Sequence, residues 1–466
     1  MMLNDAELAF LDWQAKEERA RQKTVAQARD YFNGEQDTFL SARMKEFLNV
    51  KDDNEFVLNV CRTVVGAVEE RLMFSGITTS EEGDVKPTAV WASQVYQDNR
   101  LSVLSSDVHE GALRDGEFFV IVDWDEARQR PRMIPHPRYI DPAEGGDGFG
   151  CKAHYPDDDI SQPLKYVSKR WTETLDDGKT RQRMTLYYPD RVEKYELVGH
   201  APKPIQDDGD PGWPIAWPGR IAAIHFPNTN DLRPEHWDAI SVQKAINKTL
   251  IDLLASADQS AFSIFVALGW IPTTDGKAPE SDGSNLAAMA PGQILGTSKS
   301  KADADFKKID GSDLRPLLDL LMTLISGLAV VSSTPESRVS FTRQIAAEGT
   351  LKEQNEGLFA KVRKRREMFD AGWVEAFEVA RLLANEFGNA GLDESVALIG
   401  SWDPVQSRDT EDERDEWRAK KEMGVPLETI WAEMGYDAKE IEAMKQTDEY
   451  RARLSMMSLD LAAEAG

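Results

Sequence analysis

The sequence predicts an α+β chain that is mainly helical, and three observations lead there. Apolar residues recur at helical spacing in separate segments: Val60, Val64, Val68 and Leu72; then Val242, Ile246, Leu250 and Leu253; then Leu314, Leu317, Leu318 and Leu321. Between the first and second segments lies a block rich in β-branched and aromatic residues, which reads as antiparallel strands. Beyond the third, Leu358, Val362, Phe369, Trp373 and Phe377 mark one side of a long helix.

In chain order, a charged helical segment runs from Asp5 to about Phe32 and stops at Gly34. A second helix is expected over Asp53–Phe74, with Phe56 heading its stripe, ended by Ser75–Ile77. Glu117–Asp125 (EFFVIVDWD) reads as a buried strand. Asp176, Asp177 and Gly178 supply a hairpin turn between two further strands. The Pro- and Gly-rich stretch 201–219 reads as an irregular loop, and Ile221–Asn228 as one more strand. Pro234 is expected near the first position of the next helix, where its missing N–H is harmless. An apolar strand and a polar loop follow. The helix over Asp313–Val331 is apolar on nearly every side and is expected to be buried, on the pattern of a helix between subunits. The long helix spans about Thr342–Glu386, with Gly349, Gly357 and Gly372 as possible bends, and short acidic helices close the chain.

With 466 residues, two or three domains or one multi-part subunit are allowed, and 41% hydrophobic residues suffice for real cores. Against 81 acidic residues stand 55 basic ones, a net charge of −26, which disfavours broad adhesion to nucleic acid. No stretch approaches the roughly 20 apolar residues of a membrane span, and the N-terminus has no signal-peptide pattern. Cys61 and Cys151 are too few for a disulfide framework.

Motifs for chemistry are weak. Gly178-Lys179-Thr180 ends like a phosphate loop, but Glu173 stands where the leading Gly belongs and the context is a hairpin. Gly145–Gly150 is a glycine-rich loop without a strand-to-helix setting. Cys151 and His154 have metal-like spacing without a second pair. No catalytic, cofactor or metal residue is therefore expected, and the chain reads as a non-enzyme.

The run Lys361, Arg363, Lys364, Arg365, Arg366 stands out in so acidic a chain. Arg363 with Glu367 and Arg366 with Asp370 have the i,i+4 spacing of opposite-charge pairs. The run is thus read as a solvated or intersubunit face, with DNA contact as the alternative.

The order of segments carries a resemblance. YFNGEQ (31–36), NEFVLNVCRTVVGAVEERLMFSGI (54–77), LYYPDRVEKYE (186–196), IHFPN (224–228), SVQKAINKTLIDLLASAD (241–258), APGQILG (290–296), SSTPESRVSFTRQIAAEGTLKEQ (332–354) and WDPVQSRDTEDE (402–413) together resemble the portal proteins of tailed bacteriophages, from about Tyr31 to Met444. The resemblance implies a ring of roughly twelve subunits at one head vertex, through which double-stranded DNA is packaged and ejected. It implies terminase, scaffold, capsid and head-tail adaptor proteins as partners, no membrane, and a place in the virion after assembly in the host cytoplasm.

By the same resemblance the chain divides into an N-terminal arm (1–30), a wing (31–233), a first stem helix (234–259) and a clip (260–310). A second stem helix (311–331), a tunnel loop (332–342), a long wing helix (343–400) and a crown (401–466) follow. Ser333, Thr334, Glu336, Ser337, Arg338, Ser340 and Arg343 would face the tunnel, and Asp275, Lys277, Glu280 and Asp282 would meet partners at the clip. Arg338 and Arg343 are candidates for transient phosphate contact, with ordinary surface arginine as the alternative. The net acidity would keep a sliding duplex from sticking, or would serve solubility alone. Two other functions stay open from the residues: an acidic adaptor that conducts no DNA, and a hydrolase built on scattered carboxylates.

Overall fold

The structure, a computed structural model, describes residues 4–36, 57–81, 86–140, 148–175, 178–199, 201–205, 214–261, 264–271, 273–274, 277–278, 280, 282, 300, 302–309, 313–340, 348–405, 410–433 and 445. The chain forms two compact units, Met1–Val405 and Gln406–Gly466.

In the first unit, α1 (Asp5–Gln14) opens on a capping box: the Glu7 N–H donates to the Asn4 side chain at 2.8 Å and the Glu7 carboxylate accepts the Asn4 N–H at 3.0 Å. The expected single helix breaks at Ala15, whose ψ of 151° is extended, and resumes as α2 (Lys16–Asn33). α2 ends on Gly34 at φ 84°, the left-handed cap that glycine permits. Ala6 and Ala9 of α1 pack on Tyr166, Met184 and Leu186 of a large sheet.

The helix expected over Asp53–Phe74 is shorter. Residues 53–56, with Phe56, lie outside the described residues, and α3 spans only Cys61–Glu69. Val64 and Val68 are buried on it as the stripe requires, and Leu72 is buried beyond its end. Phe74 instead opens β1 (Phe74–Thr79), because this segment pairs antiparallel with β13 (Leu398–Trp402) and the Phe74 ring stacks on Trp373 at 5.2 Å. Two helices not singled out from sequence follow: α4 (Pro87–Asp98), with Pro87 in its first turn, and α5 (Leu101–Asp115), ended by Gly116 at φ 92°.

β2 (Glu117–Asp125) is the strand the sequence predicts. It is the centre of a three-stranded antiparallel sheet between β3 (Arg130–Pro137) and β10 (Ala223–Pro227). A six-stranded antiparallel sheet contains β4 (Cys151–His154), β5 (Tyr166–Thr174), β6 (Thr180–Tyr187), β7 (Arg191–Val198), β8 (Ala201–Pro204) and β9 (Ile215–Ala216). The last two correct the irregular-loop reading of 201–219: both find hydrogen-bond partners on β7. Residues 176–177 and 206–213 lie outside the described residues.

α6 (Ala239–Ala261) starts five residues later than Pro234 suggests. Residues 234–238 are turns because their groups have other partners: the Glu235 N–H donates to the Leu113 carbonyl at 2.7 Å, and His236 meets the Ala28 carbonyl at 2.8 Å. β11 (Ile264–Leu268) and β12 (Asp305–Ile309) pair antiparallel, and α7 (Arg315–Ser332) returns to pack on α6. Leu321, Ile325, Leu328 and Ala329 of α7 join Ile246 of α6 and Val60 and Val64 in a second core. Within one subunit α7 is therefore buried on one side only; Leu318, Leu320, Met322, Val330 and Val331 are exposed. It is long and apolar enough to cross a membrane, a property it shares with core helices of soluble proteins.

After the short turn α8 (Glu336–Val339), α9 (Glu348–Gly388) runs unbroken for 41 residues, so its glycines do not end it. Leu358, Val362, Phe369, Trp373 and Phe377 are all fully buried in the main core, against Val120, Ile224 and Phe226 of the three-stranded sheet. Gly372 is there for space: a Cβ would stand 2.7 Å from Phe226. In the second unit, α10 (Thr410–Glu422) and α11 (Leu427–Glu433) are joined through Gly424 at φ 83°.

Candidate functional site

Three segments distant in sequence converge at the exit of α7: the turn before α6, the end of α7, and the cationic stretch of α9. Glu235, 3% exposed at its side chain, accepts Lys361 at 2.8 Å and Arg365 at 2.9 Å. Burial pushes the Glu235 pKa up, but the two cations outweigh it and the net shift is down. Lys361 also donates to the Ser332 carbonyl, one of the last carbonyls of α7. Ser333 then turns left-handed at φ 49°, and Ser332 donates through its hydroxyl to Leu328 at 2.8 Å. The node fixes where the chain leaves α7.

The cationic run thus divides by helical position. Lys361 and Arg365, one turn apart, point inward to Glu235, while Arg363 and Lys364 are exposed. Arg366 donates to the Asp403 carbonyl and lies over the Trp402 ring. The i,i+4 pairs expected from sequence do not form: among the described residues no ion pair joins Arg363 to Glu367 or Arg366 to Asp370. Asp370 instead accepts the Trp402 indole N–H at 2.7 Å.

Of the expected tunnel-facing residues, Arg343 lies outside the described residues, as do 341–342. Ser333, Glu336, Ser337 and Arg338 are exposed, Ser340 is half-buried, and Thr334 is buried. The segment is more ordered than a plain loop, because Glu336–Val339 makes a helical turn. Glu336 accepts the Ser326 hydroxyl, and Arg338 pairs with Glu70 at 2.8 Å while staying 37% exposed at its side chain. At the expected clip, Asp275 lies outside the described residues; Lys277, Glu280 and Asp282 are exposed. The Lys277 carbonyl accepts the Thr273 hydroxyl at 2.9 Å.

Sequence reasoning missed Glu235 and a second ionic network beneath the N-terminal helices. The spacing of Lys361 and Arg365 was a signal for a shared acceptor, but nothing local named it. In the second network Arg138 pairs with Glu18 at 2.6 Å and lies 3.3 Å from Glu117, which also meets His225 at 3.0 Å. Burial raises the Glu117 pKa, yet Arg138, His225 and Arg21 hold it at about 2. Arg29 grips the fully buried Asp115 at 3.0 and 2.5 Å. Glu18, Arg21, Glu117 and Arg138 border a cavity of about 490 Å³, and each of these four has a partner of opposite sign, the pattern of a structural network.

Candidate chemistry is sparse. Cys61 and Cys151 are buried, with thiols pushed up to about 12 by desolvation, so both stay protonated. His154 spends its ring on Ser168 at 2.8 Å and Asp12 at 3.3 Å. Among the described residues no group of three His, Cys, Asp or Glu is placed to hold a metal. Gly178, at φ 77°, and Lys179 lie in the turn between β5 and β6, not at a helix N-terminus.

A family model described as phage portal protein, SPP1 Gp6-like, matches residues 12–453. The chain belongs to the phage portal protein family. No curated protein matches it. As a portal protein it is a structural, head-tail connector component of a bacteriophage virion, in a family that serves DNA packaging at the capsid vertex. The portal family is structural, not enzymatic.

Proposed function

We propose that this portal subunit closes into a ring, of roughly twelve copies by family resemblance, whose tunnel passes double-stranded DNA during packaging and ejection. Terminase docks at the clip during packaging and a head-tail adaptor replaces it afterwards, and scaffold and capsid proteins are further partners. The observation that carries this is the family match across residues 12–453. The fold supports it in one respect: α6, the β11–β12 pair and α7 form an out-and-back excursion, the arrangement of a stem with a clip at its far end.

In this reading 234–259 and 311–331 are the stem, 332–342 the tunnel loop and 401–466 the crown. The exposed apolar side of α7 packs against a neighbouring stem. Arg338, which also pairs with Glu70, and Arg343 are the cations offered to passing phosphates, and the net −26 keeps that contact weak.

Electron microscopy of the purified protein and of virions tests the proposal. A closed ring with a hole wider than a duplex of roughly 20 Å, large beside the ~12 Å major groove, is expected. Compact monomers in solution together with no ring at the virion vertex would refute it. A ring that never retains DNA would return the function to an adaptor.

A further inference from the structure

Four arginines, Arg100, Arg128, Arg130 and Arg132, line a cleft of about 430 Å³ together with Asp98 and Asp125. Arg130 is paired with Asp98 at 2.9 Å and Arg128 with Asp125 at 3.2 Å. Among the described residues Arg100 and Arg132 have no ion pair, and both are exposed. Four cations against two carboxylates leave the cleft net positive on a chain of −26. Its shape is held, not accidental. Asn99 donates to the Pro131 carbonyl at 3.2 Å and accepts the Met133 N–H at 2.8 Å, which pins the α4–α5 corner and Arg100 beside β3.

The same unit carries the complementary feature elsewhere. Asp157, Asp158 and Asp159 are exposed on one tight turn, Pro156–Asp158, with Asp157 and Asp158 both at φ 54°. Among the described residues Asp157 and Asp158 meet no cation, while Asp159 accepts the Ser161 N–H at 3.0 Å. The turn follows Tyr155, whose hydroxyl meets His225 at 2.9 Å; His225 in turn meets Glu117, the first residue of β2. The cleft contains Asp125, the last residue of β2. Eight strand steps of ~3.4 Å separate the two ends, roughly 27 Å. The acidic turn therefore cannot fill the cleft of its own chain.

We infer that the arginine cleft receives the Asp157–Asp159 turn of a second copy of this chain, head to tail. This rests on the ring reading above and specifies its contact. Two different surfaces meeting across copies is the heterologous contact that generates rings. Guanidinium forks suit carboxylates in bidentate geometry. A duplex is the poorer fit, because a phosphate backbone needs cations spread along its path, whereas these are gathered in one cleft beside two aspartates.

The test uses full-length protein and two variants, R100E/R132E and D157K/D158K, with R19E/K203E as a control for added negative charge. Ring content is read by native mass spectrometry and electron microscopy, and folding by circular dichroism melts. Each test variant is expected to need about tenfold more protein than wild type for half-assembly; the control is expected to match wild type. Mixing the two variants restores rings, because a Glu cleft then meets a Lys turn and an Arg cleft meets an Asp turn. Wild-type rings are also expected to weaken toward 1 M salt, where the Debye length falls to ~3 Å. If wild type forms rings and both folded variants do so equally well, the contact is overturned while the ring reading stands. Normal rings with lost DNA retention or lost incorporation into heads would assign the cleft to another partner and overturn it too. If wild type never forms a ring, in solution or in virions, the ring reading itself fails.

Discussion

Glu235→Gln is the most informative single change at the α7 exit. It removes the one carboxylate that Lys361 and Arg365 share, at side-chain exposures of 16% and 9% for the two cations. Breaking a buried pair by deleting one partner costs ~3–5 kcal/mol, because the remaining charge is left desolvated. Gln keeps one acceptor oxygen and Lys361 keeps the Ser332 carbonyl, so the lower end, about 3 kcal/mol, is expected. The loss should be local as well as global. With its ion pair to Glu235 gone, Lys361 is held at the Ser332 carbonyl alone, so the end of α7 frays and amide hydrogen exchange over residues 330–340 should speed up.

The pH dependence supplies a second check. Glu235 has a folded pKa below its ordinary value of 4.5, so its contribution is present above that value and is lost as pH falls through the folded one. The wild-type advantage over E235Q should hold at pH 7 and shrink below about pH 4. Denaturant titration followed by tryptophan fluorescence, at both pH values, measures it. A difference under ~0.5 kcal/mol at pH 7, the size of an ordinary surface substitution, with unchanged exchange, would refute the idea that this node sets the geometry.

The buried His109 should make the main core acid-sensitive. Trp373 donates its indole N–H to His109 Nε2 at 2.8 Å and His109 Nδ1 faces the Leu72 carbonyl at 3.0 Å, so the ring is neutral, and burial holds its pKa at about 3. That stability is present above pH 6.5 and is lost as pH falls from 6.5 toward 3; melts of His109→Gln should lack this slope, and an identical slope would count against it. Gly372→Ala and Gly357→Ala should have opposite signs: the first drives a Cβ to 2.7 Å from Phe226 and loses ~1–2 kcal/mol, the second meets nothing within 4 Å and gains up to ~1 kcal/mol, both read by thermal melts.

What the sequence made legible follows from how local each cause is. The buried face of α9 was readable because Leu358, Val362, Phe369, Trp373 and Phe377 repeat at helical spacing, and burial follows directly from the repeat. The β2 strand was readable from its own nine residues. The end of α3 was not, because Phe74 is drawn into a strand by Leu398–Trp402, more than 300 residues away. The start of α6 was not, because residues 234–236 are held by α5, α2 and α9.

The candidate site shows the same division. Helical charge spacing treated the cations as one face and paired Arg363 and Arg366 with Glu367 and Asp370 along the surface, whereas the run divides between an inward and an outward set. The shared acceptor of Lys361 and Arg365 came from another segment, while Arg366 and Asp370 turned to the Asp403 carbonyl and the Trp402 indole instead of to each other, since an exposed i,i+4 pair is worth only ~0.3–0.5 kcal/mol. A run of like charges on one helix therefore identifies a site only after its inward members are subtracted. Here Lys361 and Arg365 are spent on Glu235 and Arg366 on the Asp403 carbonyl, leaving Arg363 and Lys364 outward. The same subtraction at the cleft spends Arg128 on Asp125 and Arg130 on Asp98, leaving Arg100 and Arg132, one from the α4–α5 corner and one from β3, a pair that only the fold brings together.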